Sequence, residues 1–309
     1  MLGRAREASL VESLIGDARG GVSGSLLVSG EPGIGKTVLL AHARGAGEGA
    51  LILEATGAEG ESHLPFAGLA DLLRPVLGHL DELPEPQAAA LRGALALGPP
   101  VPGDRFTTYA GTLSLLAAAA DRGAVVCIID DAHWLDAESV EAVQFVARRL
   151  GAEGIAILLG ARDGISERID ASPLPRLRLG RLNAADSVAL LTRHSVVEPA
   201  PAVAQALDAG AGGNPLALIE LAESLTPGPL TGADPSAQVA PNATLLPPYR
   251  IAPGATVGHA TVGPHAVVGP GAHVGDGAWL THTVFWPGAT ATGHHDHAIV
   301  TPRGVFPVE

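Results

Sequence analysis

The sequence has very few cysteines, aromatic residues and long apolar runs. Cys127 is the only cysteine, so no disulfide can form within the chain, and we expect a reducing, cytoplasmic environment. Aromatic residues make up 3% of the chain, so its core must be built from Leu, Val, Ala and Ile. No run of about 18 uncharged apolar residues occurs, and acidic residues come early in the chain. We therefore expect neither a membrane span nor a signal peptide.

Positive charge is scarce as well. Lysine and arginine together number 19 against 32 acidic residues, which gives a formal net charge of −13. Almost all of that charge lies in the first 235 residues. Proteins hold nucleic acids by neutralising phosphates with Lys and Arg, so we expect no direct DNA binding from this chain. Lys36 is the only lysine, which favours a position where the wide guanidinium group of arginine cannot replace a compact ammonium group. A general compositional bias toward arginine is the alternative.

The only lysine lies in the stretch GEPGIGKT, residues 30–37. An apolar run, SLLVS (25–29), precedes it and predicts a buried strand, and VLLAHA follows it as a predicted helix. The spacing G-x-x-x-x-G-K-[ST] between a strand and a helix is that of a P-loop. Its glycines turn tightly and aim backbone N–H groups at phosphate oxygens. The alternative is a glycine-rich turn that merely resembles a P-loop.

We assign this loop to ATP and Mg²⁺. Lys36 would reach the β- and γ-phosphates, and the hydroxyl group of Thr37 would be a ligand of Mg²⁺. The other nucleotide-binding residues that we assign here are Gly30, Gly33, Ile34, Gly35 and Val38.

A second apolar run, VVCII from residue 125, ends in two carboxylates and predicts a strand buried on both faces of a parallel sheet. Ligands bind at the carboxyl ends of such strands. Asp130 would hold Mg²⁺, and Asp131 would orient or deprotonate the attacking water. Two strand-end carboxylates that cap the next helix are the alternative, but Asp136 is better placed for that cap.

A further strand candidate, IAILLGAR (155–162), ends in Arg162. An arginine at this strand end could sense the γ-phosphate, and a surface arginine in a loop is the alternative. Segments 177–182 and 183–225 predict a fifth strand and then helices. Residues 226–236, rich in Pro and Gly, predict a linker.

Four segments together resemble the ATPase module of large LuxR-family transcriptional regulators, which belongs to the STAND branch of AAA-type P-loop ATPases. They are GEPGIGKT, DDAHWLD, LPFAGLADLLRPVLG and GGNPLALIEL, and the resemblance covers about residues 2–230. It implies a parallel sheet with a helical lid and a switch driven by ATP. It also implies that Gly3 and Arg4 lie near the base of the nucleotide, and that Gly213 and Pro215 in the lid face the adenine. The long helical repeats and the helix-turn-helix of those regulators have no counterpart in this sequence.

The last part of the sequence is periodic. Aliphatic residues recur at steps of six, with two steps of five, and small residues fill the positions between them. They are Val239, Leu245, Ile251, Val257, Val262, Val268, Val274, Leu280, Phe285 and Ala291. This spacing is the signature of a hexapeptide β-helix, in which three short strands form one coil and the aliphatic residue points inward. The segment resembles the left-handed β-helix of sugar-nucleotide pyrophosphorylases, whose nucleotidyltransferase domain is absent. A disordered tail rich in Gly and Pro is the alternative.

Seven of the 12 histidines lie in this periodic part. The stretch GHHDHA (293–298) offers His294, His295, Asp296 and His297 as metal ligands. Adjacent ligands would require a tight loop, so we interpret these histidines as solvent-facing residues.

The predicted fold is an α/β P-loop NTPase sheet with a helical lid, followed by a short left-handed parallel β-helix. The predicted boundaries are a core at 1–182, a lid at 183–225, a linker at 226–236, a β-helix at 237–300 and a tail at 301–309. The predicted function is that of a regulatory module that binds ATP and Mg²⁺ and hydrolyses ATP slowly. Alternatives are an accessory of a sugar-nucleotide or acyl transferase and a non-enzymatic oligomerisation protein. A homo-oligomer could form through the β-helix or the ATPase face.

Overall fold

The computed structural model describes residues 1–101, 105–195, 201–224 and 231–307. The chain divides into two compact units, one from Gly3 to Gly180 and one from Arg181 onward. Among the helices within those ranges, none is long and apolar enough to cross a membrane.

The first unit is built on a five-stranded sheet in which every pair of neighbouring strands is parallel. Its strands are β1 (Gly24–Gly30), β2 (Leu51–Thr56), β3 (Val125–Asp130), β4 (Ile155–Arg162) and β5 (Arg176–Arg178). Their order across the sheet is β2-β3-β4-β1-β5, so β4 lies between the strand before the P-loop and the strand before the two carboxylates. The apolar runs of β1, β3 and β4 are buried almost throughout, as predicted for strands covered on both faces.

Helices cover both faces of this sheet. They are α1 (Ala5–Arg19), α2 (Lys36–Ala46), α3 (Ala67–Leu73), α4 (Glu85–Ala94), α5 (Arg105–Ala120), α6 (Ala137–Ala147) and α7 (Glu167–Asp170). One apolar cluster joins α1 and α2 to one face of the sheet, and a larger one joins α3, α4, α5 and α6 to the other. Helix α3 ends at Leu73, because a 3₁₀ segment begins at Arg74. Pro75 in its first turn has no N–H group to continue the α-helical hydrogen bonds.

The second unit begins with three helices, α8 (Ala184–His194), α9 (Pro201–Ala211) and α10 (Pro215–Ser224). Leu191, Leu207 and Leu218 bury their side chains in one cluster, to which Ile299 from the strand region also belongs. Asn183 caps α8 by accepting a hydrogen bond from the backbone N–H of Asp186 at 2.9 Å.

Short strands make up the rest of this unit. They are β6 (Thr231–Ala233), β7 (Gln238–Val239), β8 (Thr244–Leu245), β9 (Tyr249–Ile251), β10 (Thr256–Val257), β11 (Thr261–Val262), β12 (Ala266–Val268), β13 (His273–Val274), β14 (Trp279–Phe285), β15 (Thr290–Ala291), β16 (His294–Thr301) and β17 (Gly304–Pro307). They pair in three parallel ladders, which are β7-β10-β13-β15, β8-β11-β14 and β6-β9-β12-β14-β16.

The aliphatic residues of the six-residue repeat form the core of these ladders. Val257 and Val274 are paired in register and are at most 1% exposed. The other fully buried members are Ile251, Val262, Val268, Leu280 and Phe285. Val239, Leu245 and Ala291 are partly buried against the same cluster. The repeat therefore predicts which side chains point inward.

The structure corrects the predicted ends of this region. Thr231–Ala233, placed in the predicted linker, forms β6 and pairs with β9. Gly304–Pro307, placed in the predicted tail, forms β17 and is antiparallel to β16. Backbone pairing needs no aliphatic repeat, so the six-residue pattern did not detect these two strands. Residues 226–230 of the linker and 308–309 of the tail lie outside the described residues.

Candidate nucleotide site

The loop between β1 and α2 has the backbone shape that its glycines predict. Gly33 and Gly35 have φ angles of 73° and 104°, and Gly30 has a φ angle of 154°. Residues with a Cβ atom rarely adopt these angles, so the turn requires glycine. Gly35 lies just before α2, whose N-terminal N–H groups have no partner within the helix and can face an anion.

The Lys36 side chain folds back into this loop. Its Nζ atom donates hydrogen bonds to the carbonyl oxygens of Gly30 at 3.0 Å and Glu31 at 2.9 Å. The residue is 7% exposed. Burial lowers the pKa of Lys36, and the neighbouring Arg162 lowers it further, whereas the carboxylates of Asp131 and Asp130 oppose the shift. The charges of Asp131 and Arg162, the other two predicted catalytic residues, therefore act on the Lys36 ammonium group.

Of the predicted pair Gly3 and Arg4, the arginine contacts the same loop. Gly3 has a left-handed φ angle of 63°, and the buried Arg4 guanidinium group donates a hydrogen bond to the carbonyl oxygen of Ile34 at 3.3 Å. It also donates to the carbonyl oxygen of Gly180 and to the carboxylate of Glu7. The Ile34 side chain is 1% exposed and belongs to the core, so it could meet a nucleotide only through its backbone. Val38 is 59% exposed.

Thr37 and Asp130 line one cleft of about 250 Å³, which extends along α2 to Arg44 and is also lined by residues 54–56 of β2 and by Ile128 of β3. Gly160 of β4 lies directly against Asp130. A Cβ atom on Gly160 would come within 2.9 Å of the Asp130 Oδ1 atom and 2.8 Å of the Leu40 Cδ1 atom. The missing side chain therefore provides the space that the Asp130 carboxylate occupies, a role that the sequence analysis did not find.

The second carboxylate lies beside a buried histidine. Asp131 has a φ angle of 45°, and its Oδ1 atom is 3.8 Å from the Nε2 atom of His133. The His133 Nδ1 atom accepts a hydrogen bond from the backbone N–H of Arg162 at 3.4 Å. Burial lowers the pKa of His133. The sequence analysis missed this histidine, although it lies two residues after Asp131 in the same motif.

Arg162 lies at the end of β4, and its backbone is paired in register with Gly30 at the end of β1. No hydrogen bond or ion pair to its guanidinium group is found within the described ranges of the chain. The structure thus brings Lys36, Asp130, Asp131 and Arg162 to one edge of the sheet.

Comparison with known proteins identifies a family for the first part of the chain. The family described as the AAA ATPase domain matches residues 1–159, which is just over half of the chain. The chain belongs to the AAA ATPase domain family. Its first unit is therefore a P-loop ATPase module.

Several solved structures resemble this AAA chain over 71% of its length. One is a Signal Transduction ATPase with Numerous Domains (STAND) protein with a tetratricopeptide repeat sensor, from Pyrococcus horikoshii, at 22% identity and a TM-score of 0.46. Another is a Walker-type ATPase of Pyrococcus abyssi, at 15% identity and a TM-score of 0.43. A mutant of RuvB from Thermotoga maritima has 18% identity and a TM-score of 0.40. The chain spans 29%, 66% and 60% of their respective lengths. No curated protein matches.

Asp136 of the AAA module is confirmed as a helix cap. Its Oδ1 atom accepts hydrogen bonds from the backbone N–H groups of Ser139 at 2.9 Å and Phe66 at 2.8 Å. Its Oδ2 atom accepts another from Gly68 at 3.1 Å. Asp136 therefore also fixes the start of α3, a contact between segments about 70 residues apart.

The two predicted lid residues lie in the second unit. Gly213 has a left-handed φ angle of 72°, and its carbonyl oxygen accepts a hydrogen bond from the N–H group of Leu182 at 2.8 Å. Pro215 begins α10. Asn214 caps this helix by accepting hydrogen bonds from the N–H groups of Leu216 and Ala217. A tight turn with a capping asparagine thus precedes α10.

Proposed function

We propose that this chain is a regulatory module that binds ATP and Mg²⁺ and hydrolyses ATP, similar to the ATPase module of large LuxR-family regulators. The four segments quoted above support the regulatory assignment. The chain has 19 basic residues against 32 acidic ones, so we propose that this module does not itself bind DNA phosphates.

The observation that supports ATP·Mg²⁺ binding best is the common cleft of Thr37 and Asp130. A hydroxyl and a carboxylate oxygen are the ligand types that Mg²⁺ takes in P-loop sites. The turn formed by Gly33 and Gly35 leaves space for phosphate oxygens near the start of α2. The residues present therefore fit both the nucleotide and the ion.

Each side chain then has a defined task. Lys36 would exchange its bonds to loop carbonyls for bonds to phosphate oxygens. Asp131 would orient a water molecule and accept its proton, and Arg162 would balance charge on the γ-phosphate. Mg²⁺, when bound, supplies charge neutralisation on the phosphate oxygens. By resemblance, Gly213 and Pro215 would contact the adenine.

The test is nucleotide binding and turnover by the intact chain and by variants at Lys36. A charged hydrogen bond contributes about 1.5–3 kcal/mol, so we expect Lys36→Ala to weaken ATP binding roughly ten- to hundredfold. Lys36→Arg should not restore it. Arg148→Ala, at an exposed arginine after α6, is the matched control and should bind ATP normally. Equal ATP affinity in the wild-type chain and Lys36→Ala would refute the proposal.

A second variant separates binding from chemistry. Asp131→Asn should keep nucleotide affinity but lose hydrolysis, because an amide cannot accept a proton from water at neutral pH. Full hydrolysis by this variant would exclude Asp131 as the base.

We also propose that the strands from β7 to β16 form a left-handed parallel β-helix. Three parallel ladders and the buried aliphatic residues inside them support this fold. Stacked coils of this kind often associate side by side, so we propose a homo-oligomer. Light scattering of the intact chain tests the association, and an experimental structure with right-handed coils would contradict the proposed hand.

A further inference from the structure

Three histidines stack along one side of the strand region. The rings of His265 and His282 have centroids 5.1 Å apart, and those of His282 and His297 are 4.4 Å apart, with interplanar angles of 14° and 15°. All three residues have left-handed φ angles, at 58°, 47° and 46°. Few residues other than glycine occupy this backbone region, and asparagine, aspartate and histidine are the ones that do so most often. The repeated backbone shape therefore places three imidazole rings in one column.

An anionic carboxylate lies against this column. Asp296 is paired in register with Thr281, whose hydroxyl group donates a hydrogen bond to the Asp296 Oδ1 atom at 2.6 Å. The carboxylate also faces two imidazole groups, those of His282 and His297.

The distances among these groups fit a metal ion. The Asp296 Oδ1 atom is 3.0 Å from the His297 Nδ1 atom and 3.5 Å from the His282 Nδ1 atom. One ligand atom from each of the three residues lies within 4.8 Å of the others. A tetrahedral ion with bonds of about 2.1 Å separates its ligands by about 3.4 Å, which is close to the two shorter spacings.

We propose that His282, Asp296 and His297 form a binding site for a divalent transition metal ion of the zinc class. Two imidazole nitrogens and one carboxylate oxygen suit such an ion, whereas Mg²⁺ prefers oxygen ligands alone. A shared ion requires the stacked rings to rotate, because an imidazole binds a metal in the plane of its ring. The side chains are 44% and 57% exposed and have room for this rotation. The ion would join β14 to β16 and leave coordination positions for water.

The other histidines of the GHHDHA stretch lie elsewhere. The His294 ring packs edge-on against Trp279, with ring centroids 6.0 Å apart. The His295 Nε2 atom lies 3.0 Å from the carbonyl oxygen of Thr292. The proposed ligands are thus not four neighbours in one loop. Two come from β16, and His282 comes from the adjacent β14, which removes the need for a tight loop.

The experiment is titration of the intact chain, without a polyhistidine tag, with Zn²⁺ by calorimetry and with Co²⁺ by visible absorption. We expect one saturable site that persists in millimolar Mg²⁺. His297→Ala and Asp296→Asn should each weaken binding at least tenfold. His273→Ala removes an exposed histidine of another ladder and should bind as the wild-type chain does. All three positions are exposed, so folding should not be affected.

Two further readouts separate this site from the nucleotide site. Zn²⁺ should raise the melting temperature of the wild-type chain and of His273→Ala but not that of His297→Ala. Asp130→Asn should leave Zn²⁺ binding unchanged. No saturable Zn²⁺ binding, or equal binding by the wild-type chain, His297→Ala and Asp296→Asn, would overturn the proposal.

Discussion

A single methyl group at Gly160 should disturb both the packing and the chemistry of the nucleotide site. In Gly160→Ala the new Cβ atom would lie 2.8 Å from the Leu40 Cδ1 atom and 2.9 Å from the Asp130 Oδ1 atom. Carbon atoms in contact normally stay about 3.5–4.0 Å apart, so Leu40 must move by roughly 1 Å. Overpacking of this kind destabilises a fold by about 1–3 kcal/mol.

The effect on the chemistry follows because the same Cβ atom would also displace the Asp130 carboxylate. The Asp130 Oδ1 atom accepts a hydrogen bond from the backbone N–H of Asp131 at 2.8 Å, so moving one carboxylate disturbs the other. A misplacement of about 1 Å at a reacting centre can reduce the rate roughly hundredfold. We therefore expect Gly160→Ala to bind ATP in EDTA as the wild-type chain does, to gain less affinity from Mg²⁺ and to hydrolyse ATP far more slowly.

Gly45→Ala is the matched control. Gly45 is an exposed residue of α2, and a Cβ atom there would meet nothing within 4 Å. Alanine in a helix should stabilise the chain by up to about 1 kcal/mol. Urea unfolding gives the stability of both variants, and nucleotide titration with and without Mg²⁺ gives their affinity for ATP. A wild-type unfolding midpoint together with a wild-type response to Mg²⁺ in Gly160→Ala would refute this reasoning.

Three other predictions concern stability and access. Asp136→Ala removes the acceptor of three backbone N–H groups, so it should lower the free energy of unfolding in urea by about 2–4 kcal/mol. Asn183→Ala removes an exposed helix cap and should lower it by about 1 kcal/mol. Equal effects of the two variants would contradict the bridging role of Asp136. Burial raises the pKa of the Cys127 thiol to about 12, so a thiol reagent should label the chain only as it unfolds. Rapid labelling of the native protein would be inconsistent with the complete burial of Cys127 in β3. Leu280→Ala should lower the free energy of unfolding by about 2–5 kcal/mol, and a loss below 1 kcal/mol would show that the ladder core is not packed as described.

The local motifs of the nucleotide site could be predicted from sequence. A P-loop is one continuous turn between a strand and a helix, so Gly33, Gly35 and Lys36 determine its shape from within eight residues. The cap formed by Asp136 is equally local with respect to α6. The second role of Asp136, at the start of α3, depends on how two distant segments pack, and the sequence carried no sign of it.

Contacts between strands were harder to predict. Gly160 is one of several small residues in β4, and only the placement of β4 beside β3 brings it against Asp130. In the strand region the six-residue spacing predicted the inward side chains because it repeats in phase with the coil. It did not predict that His282 and His297 would meet, because β14 and β16 are longer than the repeat and both histidines lie within these strands, away from the aliphatic positions.

The position of Lys36 gives a physical reason why a lysine occurs there in a chain that otherwise uses arginine, at 18 positions. The loop offers the Lys36 Nζ atom two carbonyl oxygens in a buried pocket. A guanidinium group carries five N–H donors in a rigid plane, and two carbonyl oxygens would leave most of those donors unsatisfied. An ammonium group has three donors on a flexible stem. With two of them on the loop, it can turn to phosphate oxygens without moving the backbone that holds it.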